Sequence, residues 1–275
     1  MSTTTAIEWT DTTWNPTTGC DRISAGCDNC YALTLAKRLK AMGSAKYQTD
    51  GDPRTSGPGF GLTIHESVLA APLRWREPRR VFVDSMSDLF HARVPTWFVA
   101  QVWATMARTP QHTYQILTKR PERMHRVVGD ETDGGYRLLA TVGDEAEALL
   151  FYDEWPLANV WLGTSIEDDA HTARADYLRS TSAAVRFLSL EPLLGPLPSL
   201  DLTGIDWVIA GGESGPNARP VDAGWVREIR DQASDAGVAF FFKQWGGRTP
   251  KAGGRLLDGR THDAYPITGH VGGAR

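Results

Sequence analysis

The chain is predicted to be an α/β protein on a parallel sheet, because from about residue 80 short apolar runs alternate with stretches of helical spacing. The runs are Val81-Phe82-Val83, Tyr114-Gln115-Ile116-Leu117, Val160-Trp161-Leu162-Gly163, Val185-Arg186-Phe187-Leu188, Trp207-Val208-Ile209-Ala210 and Val238-Ala239-Phe240-Phe241-Phe242. They are β-branched and aromatic and too short for helices, the pattern of strands buried on both faces. Such alternation fits a doubly wound sheet or a barrel. No G-x-G-x-x-G follows the first run, which disfavours a dinucleotide fold. The expected architecture is a TIM-like (β/α) barrel, full or partial, with an N-terminal three-cysteine loop and a C-terminal tail. A length of 275 residues suits one such domain, 1–275.

Taken in order, the cysteine loop occupies 19–31 and runs directly into a helix over Asn29–Met42, the first of the barrel. Thr49–Gly61, rich in Gly, Pro, Asp and Ser, reads as a loop or lid near the site entrance. Leu62-Thr63-Ile64 reads as a further strand. Helices are predicted over roughly 96–108, 121–128, 144–153, 169–181 and 222–236. In the last of these Trp225, Val226, Ile229 and Ala233 share one face and Gly237 supplies the stop. Gly246–Arg275 is a glycine-rich extension, with a hairpin turn expected at Asp258-Gly259, that packs across the barrel. Its last residues, Gly269–Arg275, are expected to fray.

A hydrophobic fraction of 41% and a charged fraction of 23% are those of a globular protein with an ample core. Ten tryptophans are assigned to core and helix–sheet contacts. A net charge of −4 excludes a global attraction to nucleic acid, so any such binding requires a local patch. No stretch matches a membrane-spanning helix, and the Ser/Thr-rich start lacks the basic and apolar regions of a signal peptide. With its clustered cysteines expected to be reduced, the chain is read as cytoplasmic.

The three cysteines, Cys20, Cys27 and Cys30, fall within eleven residues. An odd, clustered set flanked by glycines does not suit a disulfide framework. Three thiolates suit a metal centre, but structural zinc takes four protein ligands and no fourth Cys exists. An iron–sulfur cluster on three thiolates leaves one iron open to an outside ligand. The plain alternative is three buried, reduced thiols.

The residues at the end of each strand are equally informative. Val83 runs into Asp84-Ser85-Met86-Ser87-Asp88, Leu117 into Thr118-Lys119-Arg120, and Gly163 into Thr164-Ser165-Ile166-Glu167-Asp168. Leu188 leads to Ser189-Leu190-Glu191-Pro192, Ala210 to Gly211-Gly212-Glu213-Ser214, and Phe242 to Lys243-Gln244-Trp245. In a barrel these ends converge on one mouth, with the cysteine loop on the same rim. Candidate catalytic residues are therefore Asp84, Asp88, His91, Lys119, Glu167, Glu191 and Lys243, with His91 the candidate for proton transfer. The alternative is that acids there cap the following helices, which suits Asp168 and Asp169. Lys119 and Lys243 are equally read as halves of structural ion pairs.

Glu8-Trp9-Thr10, Thr13-Trp14-Asn15-Pro16, Gly19-Cys20, Gly26-Cys27-Asp28-Asn29-Cys30-Tyr31-Ala32, Ser87-Asp88-Leu89-Phe90-His91, Leu117-Thr118-Lys119-Arg120-Pro121, Glu191-Pro192-Leu193 and Gly211-Gly212-Glu213-Ser214-Gly215 together resemble a phage-associated family of unknown function, the Gp37/Gp68 type. The resemblance implies a bacterial or phage origin and a three-Cys-motif partner protein encoded nearby. More distantly the chain resembles radical S-adenosylmethionine enzymes of the spore photoproduct lyase type. That similarity implies a [4Fe–4S] cluster on Cys20, Cys27 and Cys30, with S-adenosylmethionine on the open iron. It also implies a cofactor-binding role for Gly211, Gly212, Glu213 and Ser214. The spacing here is C-x6-C-x2-C against the usual C-x3-C-x2-C, and the Gly-Gly-Glu turn lies much later in the chain.

Two basic runs mark where nucleic acid is expected to bind: Arg74, Arg76, Arg79 and Arg80 beside Trp75, and Lys119, Arg120, Arg123 and Arg126. Such runs are also ordinary solvated faces. The function expected is a radical S-adenosylmethionine-type iron–sulfur enzyme, with nucleic acid as a candidate substrate. Two alternatives are a non-enzymatic nucleic-acid- or partner-binding protein with a structural metal, and a metal-dependent hydrolase using the acids alone.

Overall fold

The structure is a computed structural model and describes residues 5–129 and 155–267. The helix predicted at 144–153 and the frayed end at 269–275 lie outside these residues. The strands are β1 (Thr12–Trp14), β2 (Thr17–Thr18), β3 (Thr63–Ile64), β4 (Arg80–Val83), β5 (Thr113–Thr118), β6 (Val160–Ser165), β7 (Val185–Leu190), β8 (Trp207–Gly211) and β9 (Ala239–Gln244). The helices are α1 (Tyr31–Ala41), α2 (Thr96–Ala107), α3 (Pro121–Val128), α4 (Arg174–Arg179) and α5 (Ala223–Asp235). Among the described residues no helix is long and apolar enough to cross a membrane.

Seven strands form one parallel sheet in the order β1-β4-β5-β6-β7-β8-β9. Each strand lies beside the one before it, so the order never reverses and there is no switch point of the doubly wound kind. Right-handed crossovers that all step the same way put the helices on one face, as in a barrel. The sheet curls into a half-barrel: β1 and β9 are its two edges and do not pair with each other. Leu62-Thr63-Ile64 does contain a strand, β3, but it pairs antiparallel with β2 outside the main sheet.

Period-two alternation divides each strand between two cores. Val81, Val83, Tyr114, Ile116, Val160, Leu162, Leu188, Leu190, Val208, Ala210, Phe240 and Phe242 face the helices. Phe82, Trp161, Val185, Phe187, Trp207, Ile209 and Phe241 form the inner cluster with Trp9. The helix side is sealed by α2, whose Phe98, Val99, Val102, Trp103 and Met106 are all buried. Helix α5 starts at Asp222, whose carboxylate accepts from Gly224 N at 2.6 Å, and stops at Gly237 with φ +68°.

The C-terminal segment covers the open edge. Phe242 N donates to His262 O and Ala264 N to Phe240 O, adding an antiparallel segment along β9. This removes the exposed edge that would otherwise template association. Tyr265 then lies on Trp207 at 5.0 Å and under the Arg80 guanidinium at 4.5 Å, so the tail crosses the half-barrel as expected. The Asp258-Gly259 turn has φ of 52° and 80°, the left-handed pair that a tight hairpin requires.

Candidate metal centre

Because the sheet is wholly parallel, the residues after each strand are gathered at one mouth. Asp84 follows β4, Lys119 β5, Glu167 β6, Glu191 β7 and Glu213 β8, while Lys243 sits near the end of β9. Alternation carries the inner face upward from Leu117 to Lys119, from Phe187 through Ser189 to Glu191, and from Phe241 to Lys243. The charged mouth therefore stands directly above an aromatic floor. Lys243 Nζ donates to Glu191 Oε1 at 2.6 Å across β8, where Gly211 lies between them.

The cysteine loop covers this mouth. Gly26 packs so closely that a Cβ there would stand 3.1 Å from Glu167 Cδ and 3.3 Å from Lys119 Cε. Asn29 Nδ2 donates to Glu213 Oε2 at 2.8 Å, and Arg219 Nη2 donates both to Glu213 Oε1 and to Ala25 O in the loop. On the opposite flank Arg120 Nη2 donates to Asp21 O at 2.8 Å, and its Nη1 lies 3.3 Å from Cys20 Sγ. The loop enters through Gly19, whose φ of +86° and approach to Gly61 O leave no room for a side chain.

Asp21 is the hub of the outer flank. Its carboxylate accepts from Thr55 Oγ1, Ser56 Oγ and Arg93 Nη2, and from His91 Nε2 at 2.9 Å. Burial opposes ionisation, but the hydrogen bonds from Thr55, Ser56 and His91 hold the Asp21 carboxyl down to about 2. His91 Nδ1 accepts from Arg93 N, which fixes Nε2 as the donor to Asp21. With both nitrogens engaged, His91 braces the cysteine loop through Asp21. The 49–61 segment, expected as a loop or lid, is hydrogen-bonded to the same loop: Arg22 N donates to Thr55 O and Cys20 N to Phe60 O.

The acids differ in their surroundings. Asp88 accepts from Thr118 Oγ1 and Phe90 N on Oδ1, and from Lys119 N and Arg120 Nη1 on Oδ2. It ties the β4 and β5 ends together. Glu167 is fully buried and accepts from Arg174 Nη1 at 2.8 Å. Burial works to raise it, but Ser24, Lys119, Arg174 and His171 outweigh this and the carboxyl sits below its ordinary value. Glu213 is likewise held low against burial by Arg219 and Asn29. Asp168 caps the turn after β6, accepting from Ala170 N. Gly212 lies against Trp245 O and Ser214 Oγ accepts from Gln244 Nε2, so this turn is fastened to the end of β9.

Asp84 is the exception. It takes φ 57°, accepts from Thr17 N at 2.8 Å, and its Oδ2 has no partner among the described residues. Burial pushes its carboxyl up to about 8, helped by Asp88. Between the ordinary carboxylate range and about 8 the folded state holds a proton that the unfolded chain has released. Stability from this group is thus complete at acid pH and lost as pH rises toward 8, with a slope of up to about 1.4 kcal/mol per pH unit. Asp84→Asn, neutral and tolerant of positive φ, is expected to flatten the urea midpoint between pH 5 and pH 8 (roughly the affected window). An equal slope in both proteins would contradict a protonated Asp84.

The three thiols are free and lie as neighbours, with Cys27 close enough to disfavour ionisation of both others. Burial pushes Cys20 up to about 12, with Asp88 adding to it, and burial also raises Cys30. Bare thiolates are therefore costly here, and a bound cation relieves that cost. Among the described residues no three Cys, His, Asp or Glu side chains are drawn into an ion-sized cage. Three thiols on one loop are the kind of donors that an iron–sulfur cluster takes. The donor set fits an iron–sulfur cluster.

Several contributors were not singled out from sequence: Asp21 and Asn29 within the cysteine loop, Arg174 after Glu167, and Arg219 after Glu213. The only hint was their proximity to an assigned acid or cysteine. The basic runs are largely committed. Arg120 and Arg123 are turned inward, the latter onto His91 O and Val94 O, and Arg126 lies 3.9 Å from Glu122. Arg79 stacks on Trp75 and Arg80 pairs with Asp11 where β4 begins, at the end of the sheet away from the mouth.

A family model described as "Protein of unknown function (DUF5131)" matches residues 4–266. No curated protein matches the chain. A solved structure of spore photoproduct lyase complexed with dinucleoside spore photoproduct is similar at a TM-score of 0.43 and 12% identity. That alignment covers 85% of this chain and 64% of the other, so the chain spans less than two thirds of that protein.

Proposed function

The chain belongs to the DUF5131 family, and we propose that it is an iron–sulfur enzyme of radical S-adenosylmethionine type, its cluster held by Cys20, Cys27 and Cys30 at the mouth of the half-barrel. The observation that carries this reading is the seating of the three-cysteine loop over the charged strand ends, with Gly26 against Glu167 and Lys119. Three sulfur donors and a fourth coordination position left free are what such a centre needs. When bound, the cluster supplies an electron and an open iron, the chemistry that the sequence resemblance associates with S-adenosylmethionine.

The chain's own residues divide the remaining work. Asp21, His91, Arg120, Arg219 and Asn29 hold the loop in register with the sheet. The aromatic cluster of Trp161, Phe187, Trp207 and Phe241 packs beneath the mouth and keeps water from its inner face. Lys119 lies beside the Glu167 carboxylate and the Cys30 thiol and interacts with both, and it orients an anionic group of whatever binds beside the loop. The Glu191–Lys243 pair offers both a donor and an acceptor above the floor.

The test is turnover. Anaerobically reconstituted protein, given dithionite and S-adenosylmethionine, is expected to form 5′-deoxyadenosine, detected by chromatography and mass. A loaded cluster that yields none with any low-potential reductant would remove the cofactor assignment and leave the cluster.

A further inference from the structure

Among the described residues, Arg120 is the one guanidinium placed on a candidate ligand sulfur. Its Nη1 lies 3.3 Å from Cys20 Sγ and 2.8 Å from Asp88 Oδ2, while Nη2 donates to Asp21 O at 2.8 Å. An NH2 group has two hydrogens, so Nη1 serves the carboxylate and the sulfur at once. The side chain is only 14% exposed. Its anchor does not move freely, because Asp88 is itself held by Thr118 Oγ1, Phe90 N and Lys119 N. A brace for the loop needs only the bond to Asp21 O. The additional N–H aimed at sulfur has an electronic consequence, because hydrogen bonds to cluster sulfurs help set reduction potential.

We infer that Arg120 tunes the cluster by donating a charged hydrogen bond to the Cys20 thiolate, favouring the reduced, more negative state. This rests on the cluster reading above. The step concerned is uptake of one electron from dithionite by the cluster, with no bond made or broken in the protein. Arg120 acts through Cys20 and is a positioning and tuning residue.

The experiment compares wild type, Arg120→Met and Arg120→Gln after anaerobic reconstitution, by potentiometric titration followed by electron paramagnetic resonance, and by resonance Raman of the iron–thiolate stretches. Arg120→Met is expected to disfavour reduction at least about tenfold, about 59 mV more negative for one electron. Its iron–thiolate stretch is expected to rise as the hydrogen bond is lost. Arg120→Gln, which keeps an N–H without charge, is expected to shift in the same direction but less. Wild-type potential and Raman bands in a loaded variant overturn the inference while leaving the cluster reading intact. Loss of the cluster from both variants also overturns it, since Arg120 would then be a structural brace alone. A wild-type protein that binds no cluster overturns the functional reading itself, and the inference with it.

Discussion

Cys27→Ala is expected to leave the reconstituted protein without its brown absorption and without acid-labile sulfide. Cys27 ends the short turn Ala25–Cys27 and is the thiol that influences both of the others. Removing it leaves two sulfurs for a centre that needs three, and two rarely hold a cluster. The substitution deletes a partly exposed side chain, so the urea midpoint of the metal-free protein is expected to move by less than about 1 kcal/mol in stability. That pairing of outcomes separates ligation from folding. Unchanged iron and colour in Cys27→Ala would show that the three cysteines do not share a metal.

The largest stability effect is expected at the floor. Trp207 is fully buried and meets Trp9, Trp161, Phe187, Phe241 and Tyr265, while its Nε1 donates to Ala264 O at 2.9 Å. Trp207→Ala removes a large ring from a place where five aromatic neighbours cannot all collapse inward. It also removes the hydrogen bond to Ala264 O and the Tyr265 ring contact, leaving the tail held by its backbone bonds to β9. The expected cost is about 3–5 kcal/mol, read as a lower urea midpoint. A cost below about 1 kcal/mol would mean that the inner cluster is loosely packed and that the half-barrel is held mainly from its helix side.

The strands from β4 to β9 were legible because burial on both faces writes a continuous apolar run into each. Strands β1 and β2 were not, being three and two residues of mostly threonine with no run to read. The predicted 169–181 helix was too long. Asp168 caps a short turn over Asp169–His171, Asp169 accepts from Ser199 N, and only Arg174–Arg179 is α-helical. These local polar bonds compete with helix at its start. The doubly wound alternative fell to strand order, which local pattern does not carry.

At the candidate site, the positions were legible and the partners were not. A charge immediately after an apolar strand is a local feature, and parallel strands convert it into a shared location. Asn29 and Glu213 are separated by 184 residues, and Arg120 and Cys20 by 100. Such pairs depend on how loops settle over the sheet. For that reason Glu213 reads in sequence as a free carboxylate and in the structure as the anchor of Arg219, whose guanidinium continues to Ala25 O. Glu213→Gln is therefore expected to loosen the cysteine loop as well as to weaken any cation held there.

The central claim is that the three cysteines at the mouth hold an iron–sulfur cluster, and elemental analysis of anaerobically prepared wild-type protein tests it most directly. The expected result is about four irons and four sulfides per chain, with the broad visible absorption of a cluster. One zinc per chain, no sulfide and no visible absorption would contradict it and identify a structural metal site instead.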